Sequence, residues 1–138
     1  MNIRKLDDTV SVSPQIEPGD LAEIARRGFT TVICNRPDAE TLGQPEFAAI
    51  AAAAREAGLN SLFMPVTAAT MGIDVAQEFS GALQQSDGPV LAYCRSGTRC
   101  ATLWTIAGMI EHRPKQELAE ATAKAGYDMS GLLANYGV

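Results

Sequence analysis

The sequence has little of what metal centres and secreted scaffolds are built from. A single histidine, His112, among 138 residues excludes a zinc centre assembled from several imidazoles. Three cysteines are too few for a secreted disulfide framework, and the spacing of Cys34, Cys94 and Cys100 fits no zinc pattern, so neither metal nor other cofactor is implied. No apolar run approaches the roughly 20 residues needed to cross a bilayer. The opening Met1-Asn2-Ile3-Arg4-Lys5-Leu6-Asp7-Asp8 has no apolar signal core, which makes a cytoplasmic location the expectation. Basic excess is missing too: the net charge is -5 and the pI about 4.8, with both signs interspersed. That balance argues against nucleic acid or an anionic membrane as partner. Repeats and low-complexity linkers are absent, so one domain over residues 1–138 is expected. Oligomeric state leaves no mark.

What is present is a 46% apolar chain cut into short segments by glycine and proline. Val10-Ser11-Val12-Ser13 reads as a strand. Pro18 then opens a helix with Leu21, Ile24 and Ala25 on one face, ended by Gly28. Thr30-Thr31-Val32-Ile33-Cys34 is a β-branched buried strand. Pro45 starts a helix with Phe47, Ile50, Ala51 and Ala54 aligned, and Gly58 follows its end. Leu62-Phe63-Met64-Pro65-Val66 reads as a third strand. Asp74 and Gln77 look like a cap for a helix burying Val75, Phe79, Ala82 and Leu83. Pro89 to Tyr93 is the fourth strand, followed by a nearly all-apolar helix from Cys100 to Ile110 that His112 caps. A helix opened by Pro114, with Leu118, Ala121 and Ala125 aligned, and another around Ser130 to Tyr136 complete the chain. Alternating strands and helices point to an α/β fold with a mostly parallel sheet of about four to five strands, helices on both faces. Ligands then belong at the carboxyl ends of the strands.

Cys94-Arg95-Ser96-Gly97-Thr98-Arg99 occupies such an end, between strand and helix. The backbone N–H groups of a tight turn opening a helix converge on one centre, and an oxyanion fits there. Gly97 permits the turn, Arg95 and Arg99 supply charge, and Ser96 and Thr98 are loop formers. The same donors favour a thiolate, and such settings lower a cysteine pKa from about 8.5 to between roughly 3.5 and 7.5. Cys94 is thus the expected nucleophile, with Arg99 beside it and Arg95, Ser96, Gly97, Thr98 and Cys100 around the bound oxyanion of a sulfur or phosphorus compound. An oxyanion-binding module without catalysis is the alternative that Cys94→Ser would separate.

At these residues the chain resembles two families. Cys-Arg-x-Gly-x-Arg is similar to the active-site loop of rhodanese sulfurtransferases, and the strand-Cys-turn-helix setting also resembles the Cys-x5-Arg loop of protein tyrosine and dual-specificity phosphatases. Arg99 makes the spacing Cys-x4-Arg, as in rhodaneses. The helices from Pro114 onward resemble small dual-specificity phosphatases. That combination resembles the small bacterial beta-lactamase-hydrolase-like, phosphatase-like domain family, also labelled sulfur transferases, over roughly residues 3 to 112. The motifs carrying it are Val10-Ser11-Val12-Ser13-Pro14-Gln15, Val32-Ile33-Cys34-Asn35-Arg36-Pro37-Asp38 and Tyr93 to Arg99.

The resemblance implies a protein tyrosine phosphatase-like fold and one of two reactions. Phosphatases of this type need a carboxylic acid after the strand preceding the loop. In Val66 to Asp74 only Asp74 qualifies, and it reads more simply as a helix cap; Asp38 in the Asn35-Arg36-Pro37-Asp38 turn is the other candidate. Sulfur transfer needs no strong acid: a Cys94 persulfide passes its sulfur to an acceptor thiol or cyanide. Sulfur transfer is therefore the leading expectation, and hydrolysis of a phosphorylated substrate the alternative. Cys34, at the same sheet edge, resembles the backdoor cysteine of some phosphatases and is a possible redox partner for Cys94.

Overall fold

The computed structural model describes residues 1–135. A five-stranded sheet has the order β1-β2-β5-β3-β4, with β1 (Arg4–Lys5) antiparallel to β2 and the rest parallel. The inner strands β2 (Val10–Ser13), β3 (Thr31–Cys34) and β5 (Val90–Tyr93) are buried at every position. Their β-branched and apolar residues fill both faces, as a covered parallel sheet requires. The fold class expected from the sequence is therefore the one observed. The two-residue β1 is too short to leave a pattern.

A short turn of 3-10 helix, Pro18–Asp20, leads into α1 (Leu21–Arg26), and α2 spans Phe47–Glu56. Both cover one face of the sheet, where Leu21, Ile24, Ile50 and Ala54 meet Val32, Cys34, Leu91 and Tyr93. The other face carries α3 (Ile73–Gln85), α4 (Thr98–Ile110), α5 (Lys115–Lys124) and α6 (Ser130–Asn135). There Phe79, Leu103, Ile106 and Leu118 pack on Val10, Val12, Val90 and Ala92. The expected end of α6 at Tyr136 lies outside the described residues. His112 does close α4: it stands at φ 61° and its N–H donates to the Met109 carbonyl.

Two expectations need correction. The edge strand β4 is Asn60–Phe63, not 62–66, and its register sets Phe63 beside Cys34. Pro65 has no N–H for a ladder, and Leu62 and Phe63 are about two-fifths exposed (41% and 42%), so apolarity there does not mark burial. Phe63 instead stacks on Phe47, centroids 4.9 Å apart. Helix α3 is capped by Gly72 in extended conformation, whereas Asp74 stands exposed within the first turn.

The sheet order positions the site. Strand β5 enters last, into the slot between β2 and β3, so the loop at its carboxyl end is flanked by the loops leaving both neighbours.

Candidate active site

Cys94 follows β5 directly and is held from both sides. Its N–H donates to the Ser13 carbonyl (3.3 Å), and the Arg95 carbonyl accepts from Gln15 N–H (3.3 Å). On the far side, Asn35 N–H bonds the Tyr93 carbonyl at 2.8 Å. The chain turns at Gly97, φ +92°, and α4 begins at Thr98. No side chain fits at Gly97, because a Cβ would overlap the Tyr127 hydroxyl. Ser96 Oγ bonds Thr98 Oγ1 at 3.0 Å, so both hydroxyls brace the turn, and Arg95, Ser96 and Thr98 are exposed on it.

Cys94 itself is 1% exposed, with Gly97 N–H 3.1 Å from its sulfur. Its pKa is pulled down to about 5 by a hydrogen bond from the Cys100 thiol, against the cost of burial, and by backbone N–H groups of Cys100, Arg99 and Gly97. Cys100 is fully buried, and burial holds its own pKa well above the ordinary thiol value. Cys100, expected around the oxyanion, lies fully buried in the first turn of α4.

The Arg99 side chain is held by a carboxylate from the segment after β3. Its Nη1 donates to Glu40 Oε2 (2.8 Å) and to the Val66 carbonyl (2.9 Å), and its Nη2 to Glu40 Oε1 (2.8 Å). Glu40 is held in turn by buried Arg36, whose Nε donates to Oε1 at 2.9 Å, while Arg36 also reaches Gln15 Oε1 and Thr41 Oγ1. The Arg99 guanidinium, with Arg36 behind it, lowers the Glu40 pKa to about 2, so this carboxylate carries no proton at neutral pH. Glu40, Arg36 and Gln15 were not among the expected site residues. The available signal was an arginine two residues past a buried strand with glutamate four residues on.

The acid candidates lie in the segment before α2 and in the first turn of α3. Asp38 Oδ1 accepts the Phe47 N–H at 2.8 Å, closing the start of α2. Asp74 lies exposed on α3. Cys34 belongs to the core on the α1–α2 face, Cys94 to the core on the α3–α4 face. The Cys34 thiol donates to the Arg36 carbonyl at 3.2 Å, and burial raises its pKa. All three cysteines are free thiols.

The Glu40 clamp predicts a measurable effect. Glu40→Gln removes the charge that orients both arginines, and kcat/KM should fall about 10- to 100-fold. Stability should drop by about 1–3 kcal/mol in thermal unfolding, because Arg36 stays buried without its carboxylate. Unchanged kinetics would mean that Arg99 needs no such orientation.

Residues 2–111 match the family model described as Beta-lactamase hydrolase-like protein, phosphatase-like domain. The chain belongs to this family. The Beta-lactamase hydrolase-like protein of Xylella fastidiosa (strain Temecula1 / ATCC 700964) is 35% identical over 130 residues, 94% of this chain. The chain spans only 30% of that relative's length. A crystal structure of a phosphatase candidate from Neisseria meningitidis Z2491 is 38% identical, with a TM-score of 0.87 over 97% of this chain and 95% of that one. The fold, at 17% identity, is also that of P. aeruginosa TpbA, solved in complex with pTyr (TM-score 0.63, covering 93% of this chain and 76% of that one). The fold of this family member is thus protein tyrosine phosphatase-like. Among the described residues no helix is long and apolar enough to cross a membrane.

Proposed function

We propose that this domain hydrolyses phosphate monoesters through a phosphocysteine at Cys94, with aryl phosphates of the phosphotyrosine type as its substrate class. The observation that carries this is the buried Cys94 sulfur facing the Gly97 N–H, its pKa lowered to about 5, in a loop whose Arg99 guanidinium is fixed by Glu40 and the Val66 carbonyl. Phosphatase candidates among structural relatives, and the phosphotyrosine bound by TpbA, support phosphorus over sulfur. The sulfurtransferase expectation has no comparable support from relatives.

In the first step the Cys94 thiolate forms an S–P bond as the P–O bond to the aryl group breaks and the phenolate leaves. Arg99 and the loop N–H groups hold the non-bridging oxygens. Water then attacks phosphorus, and phosphate and the thiolate are released. Glu40 cannot protonate the leaving oxygen, and Asp38 is engaged at α2, so departure depends on the leaving group's own acidity.

That dependence is the test. p-Nitrophenyl phosphate should turn over at least about 100-fold faster than a simple alkyl phosphate, and Asp38→Asn should change p-nitrophenyl phosphate turnover by less than about threefold. The same geometry without a nearby acid suits a second reading, sulfur transfer from thiosulfate. Thiocyanate formation from thiosulfate and cyanide, with no phosphate release from any ester, would replace the first reading by the second.

A further inference from the structure

The peptide joining Ser96 and Gly97 is gripped at both ends. Its N–H donates to the Cys94 sulfur at 3.1 Å, and its carbonyl accepts from the Tyr127 hydroxyl at 3.1 Å. The peptide is trans and planar, so the two groups point in opposite directions. Rotation that releases the carbonyl also swings the N–H off the sulfur.

Tyr127 comes from the turn after α5, outside the residues 2–111 that define the family domain. The turn is specified tightly. Gly126 adopts φ +96°, and a Cβ there would overlap the Arg4 guanidinium. Arg4 Nη1 donates to the Ala125 carbonyl at 2.7 Å and its guanidinium stands 5.8 Å from the centre of the Tyr127 ring. Tyr127 N–H donates to the Thr122 carbonyl at 2.8 Å, and the side chain is buried, its hydroxyl filling the space that a glycine at 97 leaves. An apolar contact would need none of this to aim a hydroxyl at Ser96.

The geometry points to Tyr127 as a positioning residue for the active-site loop, its hydroxyl fixing the Ser96–Gly97 peptide so that the Gly97 N–H faces the Cys94 sulfur. Strand β1 and the segment after α5 thereby belong to the catalytic unit, through Arg4 and Tyr127. Tyr127 acts through the peptide.

The test is Tyr127→Phe, which keeps the ring and removes only the hydroxyl, with Tyr127→Met as a second variant that fills the same space. Alkylation of Cys94 by iodoacetamide is followed against pH. Losing a well-placed donor to the thiolate should raise the midpoint by about half a unit to one unit relative to wild type. Turnover of p-nitrophenyl phosphate should fall about three- to tenfold. A lowered unfolding temperature with the alkylation midpoint unmoved would overturn the inference and leave Tyr127 a packing residue. The turnover arm rests on the phosphatase reading, but the alkylation arm needs no substrate. A shifted midpoint in a protein that releases no phosphate would therefore keep this inference and defeat that reading.

Discussion

Cys94→Ser is expected to lower turnover of p-nitrophenyl phosphate by at least about 10⁴-fold, because a hydroxyl in this loop stays protonated where the thiol is ionised. The wild-type thiolate is present across neutral pH and is lost only as pH falls through about 5, where Cys94 takes up its proton. A serine has no such range. The loop N–H groups and Arg99 remain in place, so a non-reactive oxyanion such as tungstate should still bind the variant, within about fivefold of wild type by calorimetry. Loss of turnover with binding retained separates an enzyme from a mere anion-binding module. A variant that kept its turnover would rule out Cys94 as nucleophile.

Arg99→Lys carries the second largest effect, a fall in kcat/KM of about 10³-fold. The guanidinium holds Glu40 through both carboxylate oxygens and the Val66 carbonyl at once. An ammonium is a point charge on a flexible stem and cannot keep two nitrogens on Glu40 while presenting a donor to the substrate. Glu40 would retain Arg36 alone, at 2.9 Å. Steady-state kinetics of the folded variant measure this. A fall of less than tenfold would show that charge alone, without the planar fork, suffices at this position.

The reach of the sequence followed the range of the contacts. The turn from Cys94 to Arg99 was legible between strand and helix because it is local: a thiol, a glycine turn and an arginine within six residues. The strands Val10–Ser13, Thr31–Cys34 and Val90–Tyr93 were legible because complete burial selects apolar and β-branched residues. Leu62 and Phe63 misled because this edge is apolar yet exposed. Asp74 misled because a carboxylate in a first helical turn reads like a cap when Gly72 holds that position. Glu40 reaches Arg99 across 59 positions and Tyr127 reaches Ser96 across 31, distances that no periodicity encodes. Cys34 was legible as a buried strand cysteine, but its side of the sheet depended on the register with Tyr93, which only the pairing of β3 and β5 reveals.

The link between Cys94 and phosphorus is open to direct observation. Wild-type protein mixed with excess p-nitrophenyl phosphate, quenched in acid within one turnover and digested, should yield a phosphate adduct on the peptide carrying Cys94, and none from Cys94→Ser. A Cys94 persulfide formed from thiosulfate, with no phosphate adduct from the ester at any quench time, would contradict the account.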